Sequence, residues 1–255
     1  MLLTIDVGNT NITLGLYDGD ELGSRWRLAT DHNRLADEYG LQFLGLLGHA
    51  RCPIEKIEGI CLASVVPPLT GRLVQACKQY LGLEPLIIDE TVNTGLNILY
   101  DNPRAVGADR IVDAVAVRKL YSLPACVVDF GTATTFDAIT ANGEYLGGSI
   151  APGLSIGAEA LYQHTAQLPR VDLVPPPSVI GDNTIHAIQA GLIFGYVSMV
   201  EGMVSRFRKV LGENMVVIAT GGLAEIVAGQ TDSINIIAPW LTLDGLRILW
   251  EMNRK

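Results

Sequence analysis

The strongest constraint on this chain is an internal echo. Ile5-Asp6-Val7-Gly8-Asn9-Thr10 returns as Val128-Asp129-Phe130-Gly131-Thr132-Ala133, an offset of 123 residues in a chain of 255. Each copy closes a short apolar run (Leu2 to Asp6, Ala125 to Asp129) and leads into a second strand-like run (Asn11 to Tyr17, Phe136 to Thr140). Each then meets a turn, Asp18-Gly19-Asp20 or Asn142-Gly143. The first turn leads to Glu-Leu-Gly-Ser (Glu21 to Ser24) and the second to Glu-Tyr-Leu-Gly-Gly-Ser (Glu144 to Ser149). Apolar runs joined by Asp-Gly or Asn-Gly turns read as hairpins. Two hairpins can resemble each other by chance. A period near half the chain points instead to two similar lobes, residues 1–115 and 116–255.

The composition allows such a pair. With 49% hydrophobic and 18% charged residues, the chain has enough apolar side chains for a sizeable core. The length fits one large or two small domains. The formal charge of -9 argues against a nucleic-acid partner, which would need a basic face. It does not exclude a small anionic ligand, because backbone N–H groups hold phosphate without many lysines. Cys52, Cys61, Cys77 and Cys126 include no C-x-x-C pair and read as reduced thiols of a cytosolic protein. His32, His49, His164 and His186 lack metal-ligand spacing. The opening Met-Leu-Leu-Thr-Ile-Asp carries no basic segment. The stretch Gly191 to Val204 is broken by Glu201 and falls short of the ~20 residues of a membrane span. A soluble, cytoplasmic protein without a membrane partner is expected.

Further elements follow from periodicity. Glu21 to Ala29 reads as a third strand. Residues 36 to 49 read as a helix with Tyr39, Leu41, Phe43, Leu44, Leu46 and Leu47 on a broad apolar face. Ile60 to Val66 is a β-rich run stopped by Pro67-Pro68. Arg72 to Leu81 reads as a helix stopped by Gly82, and Leu86 to Ile88 as a short strand. Ala108 to Leu120 has Asp109 in its first turn and Arg118 and Lys119 in its last, as the helix dipole favours. Asn183-Thr184 caps a long helix to about Leu211. Met215 to Ala219 reads as a strand that runs into Thr220-Gly221-Gly222, with a helix from about Leu223.

The echoed hairpins suggest phosphate chemistry. A tight turn with Gly8 or Gly131 aims successive N–H groups at one spot, and the missing Cβ permits close approach. Asn9, Thr10, Thr132 and Thr134 can add donors. Asp6 and Asp129, at the strand ends, place a carboxylate where it can hold a cation directly or through water. Two such hairpins facing each other would grip a polyphosphate. Thr220-Gly221-Gly222 reads equally as a platform for adenosine or as an ordinary strand-to-helix turn. Gly191-x-x-x-Gly195 allows close packing, across a dimer or within one subunit. On its own residues, Asp109 reads first as a helix N-terminus stabiliser.

Several motifs together resemble type III pantothenate kinases. They are Asp-Val-Gly-Asn-Thr at 6–10, Gly-Ala-Asp-Arg at 107–110, Asp-Phe-Gly-Thr-Ala at 129–133 and Gly-Gly-Ser-Ile-Ala-Pro-Gly at 147–153. Asn102-Pro103 and Asn183-Thr184 also fit, and the motifs keep the family's order over most of the chain. The resemblance implies an α/β protein of the actin-like ATPase (ribonuclease H-like) fold. Such a protein has two duplicated lobes, each a mixed β-sheet flanked by helices, with ATP in the cleft between them. It implies ATP-dependent phosphorylation of the primary hydroxyl of pantothenate to 4′-phosphopantothenate, the first step of coenzyme A synthesis. It further implies ATP with Mg2+, a monovalent cation (K+ or NH4+) and a homodimer.

By the same resemblance Asp109 becomes the general base, reversing its first reading. Asp6, Val7, Gly8, Asn9, Thr10, Asn11, Ile12, Thr13 and Thr132 become ATP contacts. Asp6 lies near the magnesium, through water, and Asp129 binds the monovalent cation. Tyr100, Gly107, Ala108, Asp109, Arg110 and Thr184 become pantothenate contacts, with Arg110 paired to the carboxylate. One departure stands out: Asp182 occupies a Gly-x-Asn-Thr position where the family usually has a basic residue, and this bears on substrate affinity. Two other readings remain, a kinase of this fold for another small acceptor and a non-catalytic transcription accessory factor. The presence of Asp6, Asp109 and Asp129 speaks against the second.

Overall fold

Leu2–Val7 (β1) is buried at Leu2, Leu3, Thr4, Ile5 and Val7, the pattern of a strand covered on both faces. The computed structural model describes residues 1–254. After β1 come Asn11–Asp18 (β2), Glu21–Ala29 (β3), Ala36–His49 (α1), Gly59–Ser64 (β4), Pro67–Ala76 (α2), Leu86–Ile87 (β5) and Ala108–Leu120 (α3). The second series runs Ala125–Phe130 (β6), Ala133–Ile139 (β7), Tyr145–Pro152 (β8), Leu154–Gln163 (α4), Thr184–Leu211 (α5), Val216–Thr220 (β9), Ala224–Ala228 (α6) and Ile236–Ile237 (β10). Leu241–Asn253 (α7) comes last.

These elements form two units that are not consecutive halves of the chain. The first takes residues 1–95, 102–119 and those from 241 onward; the second takes 96–101 and 120–240. The first sheet has the order β3-β2-β1-β4-β5, and the second β8-β7-β6-β9-β10. In each, the central strand is antiparallel to the next strand in sequence and parallel to the strand on its other side. The echo in the sequence is thus a duplication of topology, with β1 and β6 as equivalent strands.

In the first unit Ile5, Val7, Ile12, Leu14, Ile60 and Leu62 pack with Tyr39, Phe43 and Leu47 of α1 and with Leu69 and Leu73 of α2. The last helix, α7, packs against β1, β2 and β4. Gly59 has no room for a side chain because the Trp250 indole lies against it, and Gly245 lets α7 approach Val112 of α3. In the second unit Val197, Val200 and Val204 of α5 pack with Cys126, Val128, Phe130 and Phe136.

The strand and helix expectations for the first three strands, α1 and α3 match the structure closely. Pro67-Pro68 differs: it opens α2 instead of merely ending a strand, because proline at the first helical positions sacrifices no intrahelical bond. The helix continues as a π-turn over Cys77–Leu81 and stops at Gly82 in the left-handed conformation, φ 69°. By length and composition α5 is long and apolar enough to cross a membrane, more than the stretch Gly191 to Val204 suggested. Its apolar stripe faces the second sheet. All four cysteines are free and buried. Burial pushes the Cys77 thiol up to about 12, so it stays protonated and unreactive at neutral pH.

Candidate active site

The first unit brings two of the expected segments, the Asp6 hairpin and Gly107 to Arg110, to the end of its central strands. Asp6 pairs in register with Thr13 of β2 and Ala63 of β4. The turn after it is closed by the Gly8 N–H donating to Asn11 O at 3.0 Å. A Cβ at Gly8 would lie 3.1 Å from that oxygen, so the turn favours glycine. Asn9, Thr10 and Asn11 are exposed. Thr30, at the end of β3, fastens the turn from the side: its hydroxyl donates to Gly8 O at 2.6 Å and its N–H to Thr10 O at 2.9 Å.

Val65 connects this hairpin to the Gly-Ala-Asp-Arg segment. Its N–H donates to Val7 O at 3.0 Å, and its side chain lies 3.7 Å from where a Gly107 Cβ would stand. Gly107 accepts the N–H of Ile111 at 3.2 Å as α3 begins. Asp109, half-buried in the first turn, accepts the Arg110 N–H on Oδ1 at 2.8 Å. That bond fixes the orientation of its carboxylate. A side chain at Gly107 would collide with the same carboxylate. Arg110 and Asp113, one helical turn apart, are both buried.

The second unit repeats the hairpin with tighter surroundings. Asp129 pairs with Thr135 of β7 and Thr220 of β9. Gly221, at φ 90°, comes so close to the Asp129 carboxylate and the Phe130 backbone that no Cβ fits. That contact accounts for this glycine, and the helix after it, α6, is only 5 residues long. Gly153 presses on Thr132 O and Gly131 O with no space for a side chain, and its N–H donates to Thr132 O at 3.2 Å. Thr132 is exposed on the turn. Thr134, a suggested ligand donor, is fully buried and its hydroxyl meets Tyr196 of α5. It serves the fold of the hairpin, since its side chain points to the inner face of β7.

Tyr196 is the residue that the sequence did not single out. Its ring lies 6.3 Å from that of Phe130. Burial raises its phenol above the ordinary value; hydrogen bonds with Thr134 and the Leu154 backbone pull it down, and the nearby Asp129 charge pushes it up again. A lone tyrosine in an apolar helix carries no sequence signal for such a role.

Tyr100 and Thr184 also belong to the second unit. The ring of Tyr100 lies against Gly147, at φ 103°, where a side chain would strike it. Thr184 is the first residue of α5, whose N-cap Asn183 accepts the His186 N–H at 2.9 Å. Asp182 holds His186 Nδ1 at 2.8 Å. Gly191 and Gly195 are exposed, and a Cβ at either would meet no atom within 4 Å outside its own helix, so packing inside the subunit does not explain them.

These donor sets fit a nucleotide carrying its own divalent ion. The first turn offers a glycine, a threonine and two asparagines beside one carboxylate. Among the described residues no group of three or more His, Cys, Asp or Glu side chains could hold a metal by itself. An ion bound chiefly by phosphate oxygens, with a single protein carboxylate nearby, needs no such group.

Comparison with known proteins agrees. The profile of the family described as type III pantothenate kinase matches residues 2–206. A type III pantothenate kinase of Moorella thermoacetica is 51% identical over 253 residues, covering 99% of this chain and 100% of the relative. One from Geobacillus kaustophilus is 49% identical, covering 99% and 98%. Among solved structures, a Campylobacter jejuni protein described as a Baf family transcriptional activator superposes with TM-score 0.62 at 20% identity, covering 98% of each chain. The inorganic polyphosphate/ATP-glucomannokinase of Arthrobacter sp. superposes with TM-score 0.51 at 15% identity, covering 97% and 96%. At these identities the superpositions speak for the fold alone, which is the actin-like ATPase fold with its two mixed sheets flanked by helices. With half of its residues shared over the full length of these relatives, the chain belongs to the type III pantothenate kinase family.

Proposed function

We propose that the protein transfers the γ-phosphoryl group of ATP to the primary hydroxyl of pantothenate, giving 4′-phosphopantothenate and ADP in the first step of coenzyme A synthesis. The observation that carries this reading is the doubled acidic hairpin, with Asp6 and Asp129 at equivalent strand ends, in a chain of this family.

In the proposed reaction the substrate hydroxyl oxygen bonds to the γ-phosphorus as the bond from that phosphorus to the bridging oxygen of ADP breaks. Asp109 accepts the hydroxyl proton. Phosphoryl transfer asks mostly for positioning and charge neutralisation, and a base within reach adds to the rate. The fixed orientation of the Asp109 carboxylate on α3 suits that role. The turn from Asp6 through Thr13 and the hydroxyl of Thr132 are assigned to ATP, with Asp6 near the divalent ion through water. That ion supplies neutralisation of phosphate charge. Asp129, hemmed by Gly221, is assigned to the monovalent cation, K+ or NH4+. Arg110 is assigned to the pantothenate carboxylate, which a guanidinium matches in two-pronged fashion. Gly107, Ala108, Tyr100 and Thr184 complete the acceptor contacts.

We further propose a cytoplasmic homodimer without nucleic-acid or membrane partners. The open faces of Gly191 and Gly195 on α5 support close packing of a second subunit. A panel of small hydroxylated acceptors tests the assignment of substrate. Pantothenate should be phosphorylated well above the rest; an inert pantothenate with another acceptor active would move the chain to a different kinase specificity.

A further inference from the structure

The second hairpin is held from three sides. Gly153, just before α4, and Gly221, just after β9, hold it by backbone contact. The third hold is a side chain. From the middle of α5, Tyr196 sets its ring beside Phe130 on β6 and its hydroxyl against Thr134 on β7. Phe130 and Thr134 are the last in-register pair before the turn. A single phenol therefore touches both arms of the hairpin at its neck. Thr134 is fully buried, and a buried hydroxyl needs a partner and is costly without one. A phenylalanine in place of Tyr196 would fill the space without meeting that need, so the oxygen has a job that packing alone does not give it. The first hairpin has a comparable polar fastening in Thr30, which bonds Gly8 and Thr10.

We infer that Tyr196 is a positioning residue for nucleotide binding: its hydroxyl ties β7 to α5 while its ring braces Phe130 on β6, and together these fix the turn that presents Asp129 and Thr132. The inference rests on the kinase reading, because it takes that turn to face ATP phosphates and a cation. It adds a residue from the middle of α5, well beyond Thr184, to the machinery that holds the nucleotide.

The test uses Tyr196→Phe, Thr134→Val and the double variant, with Thr134→Ser as the conservative control. ATP·Mg binding is measured by calorimetry without acceptor, and KM for ATP and for pantothenate in the steady state. Loss of one such hydrogen bond should weaken ATP binding and raise its KM about 3- to 10-fold in each single variant. The double variant should match the singles, and Thr134→Ser should behave as wild type. KM for pantothenate should change less than about 2-fold. Unchanged ATP affinity in Tyr196→Phe overturns the inference. So do additive losses in the double variant, or equal rises in both KM values with a lower melting temperature, which mark a merely structural hydroxyl. Calorimetry needs no turnover, so an inert pantothenate with wild-type protein sinks the substrate assignment while leaving this inference measurable.

Discussion

Asp6 is the penultimate residue of β1, opposite Thr13 and beside Ala63; Asp129 is the penultimate residue of β6, opposite Thr135 and beside Thr220. The strand order around the two carboxylates is the same, yet the turns differ. In the first, Val7 pairs with Ile12, and Asn9, Thr10 and Asn11 stand exposed between them. In the second, Phe130 pairs with Thr134, one residue sooner. There two glycines from other elements, Gly153 and Gly221, crowd the turn. The two units share a topology, and the neighbours of each turn set how firmly it is held. The first is rich in open donors, which suits contact with phosphate oxygens. The second is tightly fastened, which suits the role proposed for Asp129 as ligand of a weakly bound ion.

The largest expected effect lies outside both hairpins. If they only bind and the chemistry sits on α3, Asp109→Asn lowers kcat by about 100- to 10,000-fold with ATP affinity nearly unchanged. Near-normal turnover in steady-state kinetics would remove Asp109 as the base. Next come the two carboxylates compared directly. Asp6→Asn should raise the Mg2+ concentration needed for half-maximal rate, and Asp129→Asn the K+ concentration, each by about 10- to 100-fold. Metal titrations with the two responses exchanged would reverse the assignment of the hairpins.

A smaller effect separates the turns by stability. Gly221→Ala meets both a left-handed φ and occupied space, and should lower stability by at least about 1 kcal/mol. Melting should then begin roughly 2–4 °C lower. Gly8→Ala, whose Cβ would meet only Asn11 O, should melt closer to wild type and act mainly on ATP binding. Equal melting shifts would mean that the second turn is no more tightly held than the first.

The smallest effect concerns Asp182. The hydrogen bond from His186 is the main reason that its carboxyl sits below the usual range. A depressed carboxyl contributes stability above its unfolded pKa and loses it as pH falls through the folded value. Asp182→Asn should therefore melt slightly lower than wild type at pH 7, and the gap should close as pH drops below about 4. A gap that persists well below pH 4 would contradict the pairing with His186.

Both acidic hairpins, helix α3 with its first-turn Asp109 and the cap of α5 were legible in the sequence because each is local. Asp-x-Gly turns, a first-turn aspartate and an Asn N-cap act within a few residues. What was not legible depends on distant partners. Thr134 looked like Thr132, and only the arrival of Tyr196 from α5 shows that its hydroxyl faces inward. Helix α4 begins at Gly153 with no side-chain cap, so it lacked a start signal. Helix α7 joins the first unit although the second precedes it in the chain, and the pattern of its own residues carries no trace of that return. Pro67-Pro68 misled because proline ends a strand and begins a helix with equal ease.

The central claim is that ATP and pantothenate react on this protein, and a coupled ADP-release assay tests it most directly. Purified protein with MgATP and K+ should release ADP only when pantothenate is added. The release should match 4′-phosphopantothenate mole for mole and fall when K+ is replaced by a larger organic cation. ADP release that ignores pantothenate, or its absence with both substrates present, would contradict the account.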